Sequence, residues 1–330
     1  MLDRLIAEVA VDLHVMASCP RWLWPSTLEG ATVSWRDAPC DVGVVEFADM
    51  TVDEEGTAHA LERWHETYPA TLEREARRLA AGGFDLVLGD VPPLAFDAAG
   101  RAGLASVALA NFSWDWIYQQ MGLAEAAAAA AASYRRAGVL LELEPCAPMD
   151  AFPQRVAVGV LGRPAGRPRD RVRDELGVEA GTRLVLVALR APGVCGLPAP
   201  RSGLCYAVPG VDVAGLGRTD VVEVPSGVSF VDLLSAADAV VAKPGYGIIG
   251  DSTWCGAPLL YTKGRGFPES RYLEAWLARR PATRTVTAAA LAAGSWSDEI
   301  GELIDGPRPP LPADDTAALA VRTLREAGGF

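Results

Sequence analysis

Short apolar runs alternate along the chain with longer stretches that carry helical periodicity. Residues 2–9 have the pattern of a helix, followed by a strand from Val11 to Met16, and Pro20 and Pro25 then break the pattern. Residues 54–81 are predicted to be helical, with the basic turn Glu73-Arg74-Glu75-Ala76-Arg77-Arg78 and a stop at Gly82-Gly83. Phe84-Asp85-Leu86-Val87-Leu88 has the look of a buried strand, closed by Gly89-Asp90-Val91-Pro92-Pro93. A helix over 94–102 and a second buried strand, Ala105 to Leu109, follow. Strand, helix and strand at this spacing predict a parallel sheet with crossover helices. Ala126 to Ala132 is an unbroken alanine run, which favours helix but specifies little packing.

Residues 144–172 are punctuated by Pro145, Pro148, Pro153, Pro164 and Pro168, with Arg163, Arg167, Arg169 and Arg171 between them. This is the clearest linker signal in the chain. A second α/β series begins after it. Its strands are expected at 183–189, 221–224, 239–242 and 258–261, and its helices at 170–176, 229–237, 247–255 and 269–279. A proline-rich tail leads into a last helix at 313–326. The expected organisation is a first domain over 1–150, a linker over 151–168 and a second domain over 169–312. The C-terminal helix over 313–330 is expected to cross back to the first domain. The fold class is α/β, with ligands expected beyond the carboxyl ends of the strands.

Composition narrows the chemistry. Of 330 residues, 50% are hydrophobic and 22% charged, which suits packed domains rather than disorder. The net charge of −12 argues against nucleic acid and against an anionic membrane surface as partners. No apolar run reaches the roughly 18 residues that a membrane span needs. The N-terminus lacks the basic-then-apolar order of a signal peptide. Cys19, Cys40, Cys146, Cys195, Cys205 and Cys255 show no CxxC spacing. They are read as reduced thiols of a cytoplasmic protein. His14, His59 and His65 are the only histidines, too few for a His-rich metal site. His59 and His65 are expected on a helix surface, and His14 in the core.

Arginine occurs 28 times and lysine twice, at Lys243 and Lys263. A GC-rich genome explains this bias on its own; under it, a surviving lysine could be one that arginine does not replace, since the two differ in shape and hydration. Lys243 stands in Val240-Val241-Ala242-Lys243-Pro244-Gly245-Tyr246-Gly247-Ile248-Ile249-Gly250-Asp251-Ser252, a strand, a loop and the start of a helix. Glycines let the backbone approach a ligand, and free helix amides favour an anion. Lys243 could counter phosphate charge and Asp251 could accept hydroxyl hydrogen bonds. An ordinary strand-to-helix turn with a solvated lysine has the same local pattern, because this is neither a Walker nor a G-x-G-x-x-G motif.

Asp238, the Lys243–Gly247 loop and Phe267-Pro268-Glu269 resemble the donor-side signature of GT-B glycosyltransferases (the family 28-like group). The resemblance is closest to the stand-alone bacterial relatives of the N-terminal part of L-arabinokinases. It extends through Phe230-Val231-Asp232-Leu233, Pro145–Pro153, Asp90–Ala95 and Asn111–Tyr118, and covers about residues 60–320. It implies two doubly wound Rossmann-like domains facing a cleft, and a nucleotide-diphosphate sugar as donor. The implied donor residues are Lys243, Gly245, Tyr246, Gly247, Gly250, Asp251 and Glu269, with Arg190 in place of the family's Gly-Gly turn. Asp251 stands where relatives usually carry glutamate for the ribose.

Asp90 and the segment Asn111-Phe112-Ser113-Trp114-Asp115-Trp116-Ile117-Tyr118 each follow a buried strand and fall on the acceptor side. Asp115, then Asp90, are the candidate catalytic carboxylates. Asn111, Trp114, Trp116 and Tyr118 are candidate acceptor contacts, with core packing as the alternative for the tryptophans and a helix N-cap as the alternative for Asp90. The expected activity is an inverting, metal-independent transfer to an unidentified acceptor, with no cofactor beyond the donor itself. The alternatives are a non-catalytic nucleotide-sugar-binding protein and, with less support from so few histidines, an epimerase. The resemblance also implies that the first domain lacks its opening strand and loop, because Leu2–Ala7 already has the pattern of the first helix's end.

Overall fold

The structure, a computed structural model, describes residues 1–18, 31–47, 51–189, 196–264, 267–313 and 315–330. The chain forms two compact units. One is Met1–Gly159 with Gly266–Glu269 and Asp314–Phe330; the other is Val160–Arg265 with Ser270–Ala313.

The first unit opens with α1 (Leu2–Glu8), β1 (Asp12–Met16) and β2 (Thr32–Arg36). β1 and β2 pair in parallel as a two-stranded sheet of their own. There follow α2 (Glu54–Ala81), β3 (Leu86–Gly89), α3 (Pro93–Ala102), β4 (Ala105–Ala110), α4 (Trp114–Gln120), α5 (Ala124–Tyr134), β5 (Val139–Leu143) and β6 (Arg155–Gly159). β3-β4-β5-β6 form a parallel four-stranded sheet in that order. Asp53 starts α2 by accepting the Gly56 amide at 2.8 Å, a side-chain N-cap. Gly82 ends it, and Gly83 turns the chain at φ +67. The buried Asp97 ties three helices together, accepting from Tyr68 at 2.6 Å, Ser133 at 2.8 Å and Arg136 at 2.7 Å.

Two expectations are corrected in this unit. β6 lies inside the segment taken for a linker. Its backbone pairs with β5, and a strand at a sheet edge tolerates the flanking prolines that suggested a loop. His14 is exposed rather than core; its ring bonds the Ser34 hydroxyl at 2.6 Å and meets the edge of Phe84. His59 and His65 are exposed on α2.

The second unit runs through α6 (Arg169–Glu175), β7 (Arg183–Ala188), β8 (Leu204–Ala207), β9 (Val221–Val222), α7 (Phe230–Ala236), β10 (Ala239–Ala242), α8 (Tyr246–Trp254), β11 (Leu259–Thr262), α9 (Ser270–Ala278), β12 (Thr283–Val286), α10 (Ala288–Ala293) and α11 (Ser297–Asp305). Its six strands are all parallel, in the order β12-β11-β10-β7-β8-β9. Apolar side chains of β7 and β10 are buried on both faces, feeding separate cores above and below the sheet. That explains why both strands are continuous apolar runs rather than alternating ones. The chain leaves β7 toward β8 and later returns to β10 on the other side. The β7/β10 junction is therefore the switch point where an open parallel sheet takes its ligand.

Residues 160–168, also assigned to the linker, are knitted into this unit. The amides of Gly166 and Arg167 donate to Asp232 at 2.9 and 3.0 Å. Three arginines close the end of α7: Arg169 donates to Ser235 O and Ala237 O, Arg173 to Ala236 O, and Arg308 to Ala237 O. Asp238 balances them, pairing with Arg169 at 2.8 Å and Arg173 at 3.2 Å while accepting the Leu184 amide. The last helix, α12 (Thr316–Gly328), belongs to the first unit and packs against β4, β6 and α1.

Candidate active site

In the second unit, β10 delivers Lys243 at its carboxyl end, at the switch point. Lys243 is exposed. Gly245 is the N-cap of α8 and makes no side-chain cap. The first intrahelical bond returning to it comes from Ile249, so the helix itself supplies no acceptor for the amides of Gly247 and Ile248. Neither Gly245 nor Gly247 has a positive φ. Among the described residues, a Cβ added at either would meet nothing within 4 Å. Nothing among the described residues therefore requires glycine at these two positions, and both leave open space over the amides of Gly247 and Ile248, two residues or more beyond the exposed Lys243. That is the form of an anion cradle.

The neighbouring candidates have different roles. A Cβ on Gly250 would lie 2.2 Å from Leu161 O, so this glycine is there for close helix-to-loop packing. Tyr246 packs half-buried against the core on its side of the sheet. Asp251, expected to hold ribose hydroxyls, is buried and already engaged. Its Oδ1 accepts the Arg163 amide at 2.9 Å, and its Oδ2 takes the Arg163 guanidinium at 2.6 Å. The guanidinium is 69% exposed, so solvent screens the pair and its contribution is about 1 kcal/mol or less. The Asp251 carboxylate is nonetheless taken. Arg190 lies outside the described residues. Glu269 is half-buried just ahead of α9 and groups with the first unit.

In the first unit, the loops after β3 and β4 bring Asp90 and the 111–118 segment together. Tyr134, fully buried on α5, joins them: its hydroxyl donates to Val91 O at 2.7 Å and accepts the Trp114 amide at 3.1 Å. Val91 sits at φ +73, the one non-glycine residue in the left-handed region among the described residues. For a β-branched side chain this costs about 1–2 kcal/mol. Asp90 is not the helix cap; Pro92 is the N-cap of α3 and makes no side-chain bond. The Asp90 carboxylate reaches solvent. Protein crowding it from the other sides, and then the charge of Asp41, push it above the ordinary carboxylate range.

Asp115 is placed differently. It lies in the first turn of α4, close to Ser113 and to the amides of Asp115 and Trp116. Burial raises its carboxyl, those groups work against the shift, and Oδ1 is buried with no hydrogen-bond partner among the described residues. Asp115 therefore serves the start of its own helix. The aromatic residues are largely spent on packing. Trp114 stacks on Tyr118 with centroids 5.6 Å apart and donates its indole N–H to Asp41 at 2.8 Å. Tyr118 is buried and bonds Gly43 O at 3.3 Å, Trp116 joins the cluster around Ile117, and the Asn111 amide is fixed to Pro145 O at 2.8 Å. Asp41 was not singled out in the sequence. It lies outside any motif, and only its contact with Trp114, 73 residues on, marks it. Burial raises its carboxyl against the opposing effect of the Trp114 N–H.

Among the described residues no three His, Cys, Asp or Glu side chains are grouped to hold a metal ion. No helix there is long and apolar enough to cross a membrane.

Two parallel α/β units, with open loops at the carboxyl ends of their strands, define the GT-B glycosyltransferase fold, and solved structures agree. A UDP-glucosyltransferase from Polygonum tinctorium, described as capable of glucosylating indoxyl, is similar at a TM-score of 0.62 over 100% of this chain and 94% of its own, with 13% identity. The calicheamicin glycosyltransferase CalG4 is similar at 0.60 over 99% and 89%, with 15% identity. SnogD of Streptomyces nogalater is similar at 0.53 over 96% and 94%, with 18% identity. In sequence, L-arabinokinase of Arabidopsis thaliana is 26% identical over 285 residues, 79% of this chain. The chain spans about a quarter, 26%, of the length of that curated relative. No protein-family model matches the chain.

Proposed function

We propose that the protein is a glycosyltransferase that takes a sugar from a nucleotide-diphosphate donor and passes it, with inversion, to a hydroxyl-bearing acceptor. The observation that carries this reading is the open cradle at Gly245 and Gly247, where the first-turn amides of Gly247 and Ile248 and the exposed Lys243 suit a diphosphate. The fold supports it, since the similar structures include a UDP-glucosyltransferase and a calicheamicin glycosyltransferase.

In this reading the acceptor hydroxyl gives its proton to a carboxylate of the first unit. The acceptor oxygen bonds the anomeric carbon as the bond to phosphate breaks, and the diphosphate leaves with the electron pair. Asp90 suits the role of base better than Asp115, because it is exposed whereas Asp115 lies against the start of its own helix; burial raises both carboxyls. The amides of Gly247 and Ile248 and the Lys243 ammonium stabilise the departing charge without recourse to a metal. The Asp251–Arg163 fork favours a second reading, a protein that binds a nucleotide sugar without turning it over, because the residue expected at the ribose is engaged.

A binding panel of nucleoside diphosphates and nucleotide sugars, followed by product analysis, tests both. Transfer or hydrolysis supports the first reading; binding without products supports the second. Lys243→Ala should weaken binding about 10-fold or more, as expected for one charge-assisted contact. No binding by the wild-type chain, with Lys243→Ala equally silent, refutes both.

A further inference from the structure

We propose that Tyr134 is a positioning residue for Asp90: its hydroxyl, bonded at once to Val91 O and to the Trp114 amide, holds the turn after β3 in the backbone conformation that presents the Asp90 carboxylate to solvent. The role assigned to Asp90 rests on the glycosyl-transfer reading; the hold on the turn does not.

Val91 has two reasons to leave the left-handed φ of +73. It is β-branched, and Pro92 follows it, which drives the preceding residue toward extended backbone. It stays because its surroundings over-determine it. Its side chain is buried in a cluster with Phe96, Met149 and Phe152, and its carbonyl is taken by Tyr134. The Tyr134 ring is locked in the same cluster. It meets Phe96 edge-on at 5.8 Å and Phe152 at 4.7 Å, so the hydroxyl has one place to be. That hydroxyl uses its donor and an acceptor position on two loops from adjacent strands. Asp90 precedes Val91 directly, so the φ of Val91 and the aim of the carboxylate are set together.

Tyr134→Phe removes the hydroxyl and keeps the ring. In the full chain, with Val91 labelled for carbon NMR, the variant should lose the left-handed Cα and Cβ shifts of Val91 and move to extended values. Its kcat should fall about tenfold with the donor KM unchanged, the loss expected for one hydrogen bond. Adding Val91→Gly, whose backbone takes positive φ freely, should restore much of kcat in the Tyr134→Phe background. A purely structural role predicts no such rescue, because the glycine only removes buried side chain. Left-handed Val91 shifts persisting in Tyr134→Phe overturn the proposal. If Val91 moves while the wild type transfers no sugar, the hold on the turn stands and the glycosyl-transfer reading fails.

Discussion

Gly247 and Gly250 lie one turn apart on the same helix and should respond to the same substitution in opposite ways. At Gly247 an added Cβ meets nothing within 4 Å among the described residues, and φ is not positive. Gly247→Ala therefore costs no packing and gains helix propensity, about 0.5 kcal/mol in a first turn where the full interior gain is about 1 kcal/mol. The melting temperature of the free protein should rise by about 1–2 °C. The same methyl occupies the space above the amides and displaces any oxygen bound there. Losing one charge-assisted bond of about 1.5–3 kcal/mol weakens diphosphate binding roughly 10- to 100-fold. At Gly250 the Cβ would lie 2.2 Å from Leu161 O. Overpacking against backbone costs about 3 kcal/mol, or roughly 6–12 °C. Thermal melts without ligand, and calorimetric titration with a nucleoside diphosphate, read both quantities. A Gly247→Ala protein that binds like the wild type, or that melts as low as Gly250→Ala, refutes the cradle.

Asp238→Ala leaves the half-buried Arg169 and the more deeply buried Arg173 without their carboxylate, so urea unfolding should show a loss of about 3–5 kcal/mol. Asp41→Asn should change stability in a pH-dependent way. Burial raises the Asp41 carboxyl in the folded state, so its contribution is fully present below its unfolded pKa of about 3.9 and is lost as pH rises through the raised value. The asparagine keeps an acceptor for the Trp114 indole and never ionises. Its melting temperature should therefore gain on the wild type from about pH 4 upward, and a constant difference across that range would contradict the assigned cause.

The alternation of apolar runs and helical stretches determined the fold class, because it follows from local period and turn chemistry. The apolar runs of β7 and β10 could only be interior strands of a parallel sheet, and the Lys243–Gly247 loop stood out for its residues alone. β6 was hidden because prolines around an edge strand look like a linker until β5 is there to pair with it. The fates of the candidate residues were decided by partners far away in the chain. Asp251 is claimed by Arg163, 88 residues earlier. Asp41 acquires its place from Trp114. Asp115, which follows a strand just as Asp90 does, turns into its own helix, whereas Asp90 is held outward by a strained valine and a buried tyrosine. Elements are written by neighbours in sequence. A side chain's duty depends on which donors and acceptors packing brings within about 3 Å, and only the tertiary structure chooses those.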